Sequence, residues 1–129
     1  MAETLQIRSS DDVVRVRQRA RAFAVEAGLT LVDQTKIVTA ASELARNTLD
    51  YGGGGTVEIE ALPAPQRGVR LTFADQGPGI ADIEVALRDG YTTGHGLGLG
   101  LGGAKRLSSE FHIDSRPGQG THVRIARWR

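Results

Sequence analysis

Cysteine is absent from the 129 residues of the sequence, so a disulfide framework and a thiolate-bound zinc or iron–sulfur site are both excluded. Long apolar runs are absent too: none approaches the roughly 18–20 residues that cross a membrane, and the first residues have no apolar signal core. A net charge of +1 gives no overall field that would attract nucleic acid or a membrane surface. We therefore expect a cytoplasmic protein with neither nucleic acid nor a membrane as a partner.

The length suits one domain, which we predict to span residues 1–129. Alternation of polar and apolar residues between turn residues predicts five strands, at 3–8, 56–61, 69–74, 110–114 and 121–127. Helical spacing and capping residues predict helices from about Ser9 to Ala27, from Thr30 to about Leu49, from Ala81 to Leu87 and at about 103–108. Strands in adjacent hairpins with helices elsewhere predict an α+β two-layer sandwich, with helices on one face of a mixed, mostly antiparallel sheet.

The second predicted helix carries a carboxylate and an amide one turn apart. Glu43 and Asn47 are four residues apart and so share one face, whereas Leu44 and Thr48 point toward the core. The ordinary interpretation is a solvated polar face. The alternative is a site in which Asn47 gives magnesium an oxygen ligand, together with phosphates, and Glu43 accepts a proton from an attacking hydroxyl.

The end of the third predicted strand carries an acidic residue followed by two glycines, in the order Asp75-Gln76-Gly77-Pro78-Gly79. A tight turn explains the glycines and the proline by itself. The alternative is that Gly77 and Gly79 let a flat ligand approach the backbone while Asp75 accepts a hydrogen bond from it. A carboxylate only accepts hydrogen bonds, so it favours the exocyclic amino group of adenine over the oxygen at the same edge of guanine.

A glycine-rich segment at 94–103 leads into the last predicted helix, and six of its ten residues are glycine. A surface loop explains the glycines, but Leu97, Leu99 and Leu101 at every second position predict a loop that packs only when it closes over a ligand. The segment formally satisfies the dinucleotide pattern G-x-G-x-x-G, yet no strand precedes it and no βαβ unit follows, so we reject that interpretation. Its exposed backbone N–H groups suit a phosphate.

In this order, and with Gly120-Thr121 on the last predicted strand, the three segments resemble the ATP-binding fold of the GHKL or Bergerat family, which includes DNA gyrase and the histidine kinases. The resemblance implies that Asn47 holds magnesium, that Asp75 contacts the adenine amino group and that Thr121 helps to seat the base. It also implies that the glycine-rich segment is a lid over the phosphates. The implied nucleotide-binding residues are Asn47, Asp75, Gly77, Gly79, Gly94, Gly96, Leu97, Gly98, Gly100, Leu101 and Thr121.

Within that family the sequence is similar to the serine kinases of stressosome switches, on Ser42-Glu43-Leu44-Ala45-Arg46-Asn47, Lys105-Arg106-Leu107 and the closing Trp128-Arg129. The similarity implies a serine/threonine kinase that uses ATP and Mg²⁺ and phosphorylates a STAS-domain protein, with Glu43 as the general base. It also implies that the kinase, once released from that protein, activates a PP2C-type phosphatase by partner switching. Two alternatives stay open: an anti-sigma factor kinase of the same fold that binds a sigma factor, and a partner-binding module without catalysis.

Overall fold

The structure is a computed structural model that describes residues 2–80, Leu87 and residues 100–129. Its helices and strands are β1 (Ala2–Ile7), α1 (Ser10–Glu26), α2 (Leu31–Asp50), β2 (Gly55–Leu62), β3 (Gly68–Asp75), α3 (Leu101–Arg106), β4 (Glu110–Ser115) and β5 (Thr121–Trp128). The helix predicted from Ala81 to Leu87 lies outside the described residues except for Leu87 itself. Within the described residues, no helix is long and apolar enough to cross a membrane.

The five strands form one sheet in the order β1-β2-β3-β5-β4, and each pair of neighbours is antiparallel. The helices lie on one face of the sheet, so the predicted two-layer α+β sandwich is confirmed. The prediction allowed a mixed sheet, but the described strands are antiparallel throughout. The reason is that β2–β3 and β4–β5 are hairpins, which pair antiparallel strands. The remaining two pairs, β1 with β2 and β3 with β5, are antiparallel as well.

The core lies between the sheet and the two long helices. Alternate residues of the three central strands point toward the helices and are buried: Val57, Ile59, Leu71, Phe73, Val123 and Ile125. Each contributes roughly 1.5–3 kcal/mol when fully buried. The opposite face of the sheet is charged and carries Arg70, which lies 3.6 Å from Glu60 and 3.6 Å from Glu110. This alternation of apolar and polar residues fixes which face of each strand meets the helices.

Helix α2 is the longest helix described, and it extends from the far end of the sheet to the candidate site. It begins as predicted, because the Thr30 side chain accepts a hydrogen bond from the Asp33 backbone N–H at 3.2 Å. Ile37, Ala41 and Leu44 are buried against the sheet. In the last turn of α2, Asn47 lies near Asp75 at the end of β3 and Thr121 at the start of β5.

Helix α3 begins two residues earlier than predicted, at Leu101 instead of residue 103. Gly102 and Gly103 have low helix propensity, which is why the sequence favours a loop there. Packing outweighs that propensity, because Leu101 and Ala104 are buried in the core. The expectation that Leu101 packs only when a loop closes is therefore wrong: it is the first residue of a core helix.

Candidate nucleotide-binding site

A cavity lies where the end of α2 meets β3, β5 and α3. Its lining is mostly apolar, with an amide, a carboxylate and three hydroxyl groups: Leu44, Asn47, Thr48, Tyr51, Phe73, Asp75, Ile80, Leu101, Thr121 and Val123. Four of the residues predicted to bind nucleotide, namely Asn47, Asp75, Leu101 and Thr121, meet here from four separate segments of the sequence. An apolar cavity with a few convergent polar groups is the usual form of a small-molecule site.

The inner end of the cavity is lined by Asp75 and Thr121, and the turn at 76–79 follows directly after Asp75. Asp75 is only 7% exposed, although it carries a carboxylate. The backbone N–H groups of Gly77, at 2.9 Å, and of Thr121 donate to that carboxylate. Burial outweighs these hydrogen bonds and raises the pKa of Asp75 above its ordinary value. The group is therefore a buried hydrogen-bond acceptor whose position is fixed by the backbone.

The turn at 76–79 needs glycine at positions 77 and 79, because both residues lie directly against the backbone of other segments. Gly79 has a positive φ of 76°, and a Cβ there would overlap the carbonyl of Arg116. The Gly118 N–H donates to the Pro78 carbonyl at 2.6 Å and joins the turn to the β4–β5 hairpin. Gly77 and Gly79 thus position the backbone beside Asp75.

At the outer end the cavity is lined by Asn47, and Glu43 and Gly100 lie close to each other beyond the lining residues. Glu43 is exposed and Asn47 is half-buried, one turn further along α2. Gly100 caps α3 with a φ of 65°, and a Cβ on it would lie 2.5 Å from Glu43 Oε2. The Glu43 carboxylate therefore lies against the start of the helix that follows the glycine-rich segment. The predicted residues Gly94, Gly96, Leu97 and Gly98 lie outside the described residues.

Three residues of the site escaped the sequence analysis. The Tyr51 hydroxyl donates to the Gly79 carbonyl at 3.0 Å, and Ser115 Oγ accepts from the Ile80 N–H at 2.8 Å. These contacts join residues 28 and 35 positions apart, so no local pattern indicates them. Gly52 did have a signal, as the first of four consecutive glycines. A Cβ on it would lie 2.6 Å from Asp75 Oδ2, so Gly52 is needed for this approach and does more than end α2.

The class of protein follows from this fold and from the family profile that matches it. The profile described as "Histidine kinase-, DNA gyrase B-, and HSP90-like ATPase" matches residues 32–129, and the chain belongs to that family. The predicted GHKL membership is therefore confirmed.

Individual relatives narrow the class. The serine/threonine-protein kinase RsbT of Bacillus subtilis is 43% identical over 96% of this chain and 94% of that protein. An anti-sigma F factor of a Thermoanaerobacter species is 31% identical over 83% of this chain and 78% of that protein. A crystal structure of RsbU and RsbW domains from Mycobacterium tuberculosis shares the fold, with a TM-score of 0.67 and 24% identity over 99% of this chain; this chain corresponds to 32% of that one. The predicted enzyme class, an ATP-dependent protein serine/threonine kinase, is confirmed by the first of these relatives.

Proposed function

We propose that the chain transfers the γ-phosphate of ATP to a serine or threonine of a STAS-domain protein and, once released, binds and activates a PP2C-type phosphatase. The observation that carries the ATP part is the single cavity that receives Asn47, Asp75 and Thr121 from separate segments. The 43% sequence identity to a serine/threonine-protein kinase, over nearly the full length of both proteins, supports the transfer step. The two partners, and a cytoplasmic location, rest on the resemblance to stressosome switch kinases.

The adenine ring would occupy the inner end of the cavity. The Asp75 carboxylate accepts hydrogen bonds and cannot donate them when ionised, so it suits the amino group of adenine. Phe73, Ile80 and Val123 supply an apolar lining for the ring faces. The backbone contacts to Asp75 mean that this acceptor needs no rearrangement before the base binds.

The triphosphate and Mg²⁺ would occupy the outer end. Asn47 offers a neutral amide oxygen, which is a ligand type that magnesium accepts. No group of three or more His, Asp or Glu side chains in the described ranges could hold a metal. This donor set fits an ion that takes most of its ligands from phosphates and water, with Asn47 as the protein ligand. When bound, such an ion neutralises phosphate charge.

Glu43 would act as the general base for the acceptor hydroxyl. It is exposed, it lies one turn from Asn47, and its carboxylate borders the start of α3. A second protein can therefore bring a serine hydroxyl to the carboxylate from solvent. Glu43 would orient that hydroxyl and take its proton as the phosphoryl group arrives, while most of the rate comes from positioning and charge neutralisation.

The deciding experiment is phosphoryl transfer from radiolabelled ATP. The full chain is incubated with Mg²⁺ and purified STAS-domain proteins, and the products are analysed for phosphoserine and phosphothreonine. We expect label on one STAS protein and none when that protein's acceptor residue is replaced by alanine. Absence of transfer to every STAS protein tested, with ATP bound, would contradict the proposed substrate class.

The second candidate is an anti-sigma factor kinase of the same fold. The observation in its favour is the 31% identity to an anti-sigma F factor. Direct capture of a purified sigma factor in the presence of ATP distinguishes this function from the switch kinase, which we expect to leave sigma factor unbound. A partner-binding module without catalysis would bind its partners and transfer no phosphate in the same assays.

A further inference from the structure

Ser115, at the end of β4, lies behind the inner end of the cavity and holds three polar groups together. Its Oγ accepts a hydrogen bond from the Ile80 N–H at 2.8 Å, and it lies 2.8 Å from Thr121 Oγ1 and 3.2 Å from the Gly120 carbonyl. Thr121 is 8% exposed and lines the cavity beside Asp75. Ser115 therefore touches the wall of the site without lining it.

The hydrogen-bond geometry allows two proton arrangements. A serine hydroxyl has one proton and two lone pairs, and the Ile80 N–H occupies one lone pair. In the first arrangement Ser115 donates to the Gly120 carbonyl and Thr121 donates to Ser115. In the second, Ser115 donates to Thr121, and the Thr121 proton is released toward the cavity. The second arrangement gives up only the longer of the Ser115 contacts, at 3.2 Å.

We propose that Ser115 is a positioning residue for the base: by donating to Thr121 it turns the Thr121 hydroxyl proton toward a ring nitrogen of adenine. This inference rests on the proposed binding of ATP at the cavity. It gives the inner end an acceptor, Asp75, beside a donor, Thr121. Adenine presents the matching order, an amino donor beside ring-nitrogen acceptors, whereas guanine carries an oxygen acceptor in place of the amino group. The pair therefore reads adenine more strictly than Asp75 alone.

The test compares ATP with two analogues that each lack one ring nitrogen beside the amino group, 1-deaza-ATP and 7-deaza-ATP. In the unaltered chain we expect one analogue to bind about 3- to 10-fold more weakly than ATP in calorimetric titration. The ratio of the analogue's Kd to the Kd of ATP should fall toward one in Ser115→Ala. Ser115→Thr keeps the hydroxyl and should retain the ratio of the unaltered chain. A loss of affinity in Ser115→Ala that is equal for ATP and both analogues would indicate a merely structural role and overturn the inference.

A second variant keeps the test decisive should Ser115→Ala fail to fold. Thr121→Val removes the hydroxyl at nearly constant volume, and it should abolish the ratio in the same way. Where both single variants fold, the double variant should have the same analogue-to-ATP ratio as Thr121→Val alone, because the two residues act through one hydroxyl. A ratio of one in the unaltered chain, or a ratio that survives Thr121→Val, overturns the inference.

The same titrations separate this inference from the proposed function. If the unaltered chain binds ATP and Asp75→Asn weakens it, while the analogue ratio in Ser115→Ala is unchanged, then only the role of Ser115 is wrong. If the unaltered chain binds neither ATP nor the analogues at millimolar concentration, the proposed function and the role of Ser115 are both wrong.

Discussion

The inner end of the cavity is buried and fixed by backbone contacts, whereas Asn47 at the outer end is half-buried and Glu43 lies at the surface of α2. Asp75 and Thr121 are 7% and 8% exposed, and a carboxylate there has two backbone N–H donors. Glu43, in contrast, is exposed. The difference suits the proposed function, in which the inner end would recognise a base of fixed shape and the outer end would admit a hydroxyl from a second protein.

The largest effect is expected at the outer end, from Glu43→Gln. Loss of the general base should lower phosphoryl transfer by at least about 100-fold, while ATP affinity stays within about twofold. Phosphate transfer is followed with radiolabelled ATP, and affinity by titration. Asp50→Asn is the matched control, because it makes the same carboxyl-to-amide change on an exposed residue of α2 and should leave both quantities unchanged. Transfer that survives Glu43→Gln would remove Glu43 from the chemistry.

At the inner end, Asp75→Asn should act on binding instead. One acceptor oxygen becomes an amide N–H₂, which only donates hydrogen bonds. A single oxygen is then left to accept from both the backbone and the base, so ATP affinity should fall about 10-fold. Asp114→Asn, on an exposed position of β4, serves as the control for lost negative charge. An unchanged affinity in Asp75→Asn would mean that the base lies elsewhere.

The pH dependence of stability sharpens the contrast between buried and exposed carboxylates. Burial raises the pKa of Asp75 above its ordinary value of 3.8, so the folded state holds this proton more tightly than the unfolded state. Its contribution to stability is fully present below pH 3.8 and is lost as pH rises through the raised pKa. Urea unfolding of the unaltered chain and of Asp75→Asn should show the unaltered chain losing stability relative to the variant over that window. A difference that stays constant with pH would contradict the burial argument.

Much of the frame was accessible from sequence because the signals are local. Alternation at period two places the strands, and Thr30 with Asp33 marks the start of α2. Glu43 and Asn47 could be selected as candidate site residues because they are four residues apart and share one helix face. The start of α3 was misplaced, since Gly102 and Gly103 disfavour a helix that only the burial of its first residue, Leu101, explains.

The rest of the site depends on pairing between distant strands and could not be predicted locally. Ser115 meets Ile80 only because β4 pairs with β5 and the hairpin between them packs on the turn at 76–79. Tyr51 meets Gly79, across 28 residues, because the end of α2 lies against the turn that follows β3. Tyrosine and serine are common residue types, so only the tertiary structure shows that Tyr51 and Ser115 lie beside the cavity.

The smallest effect is expected at the opposite end of α2, from Asp33→Asn. The Arg127 guanidinium donates to Asp33 Oδ1 at 2.8 and 3.2 Å, and this hydrogen bond lowers the pKa of Asp33. Its contribution to stability is therefore present above pH 3.8 and is lost as pH falls through the lowered pKa, the reverse of the trend for Asp75. At neutral pH the variant should lose about 1 kcal/mol or less, because the pair is partly exposed.

Asp33→Asn also tests whether the two ends of α2 act independently. Asp33 lies in the first turn of the helix and Asn47 near its last, so ATP affinity should be unchanged in the variant. Urea unfolding across pH measures the first effect, and titration with ATP measures the second. A weakened ATP affinity in a folded Asp33→Asn chain would mean that the Asp33–Arg127 pair helps to set the site, since Arg127 also donates to the carbonyl of Leu107 at the end of α3 at 3.4 Å. ATP affinity would then depend on the position of α3 as well as on the fixed inner end of the cavity.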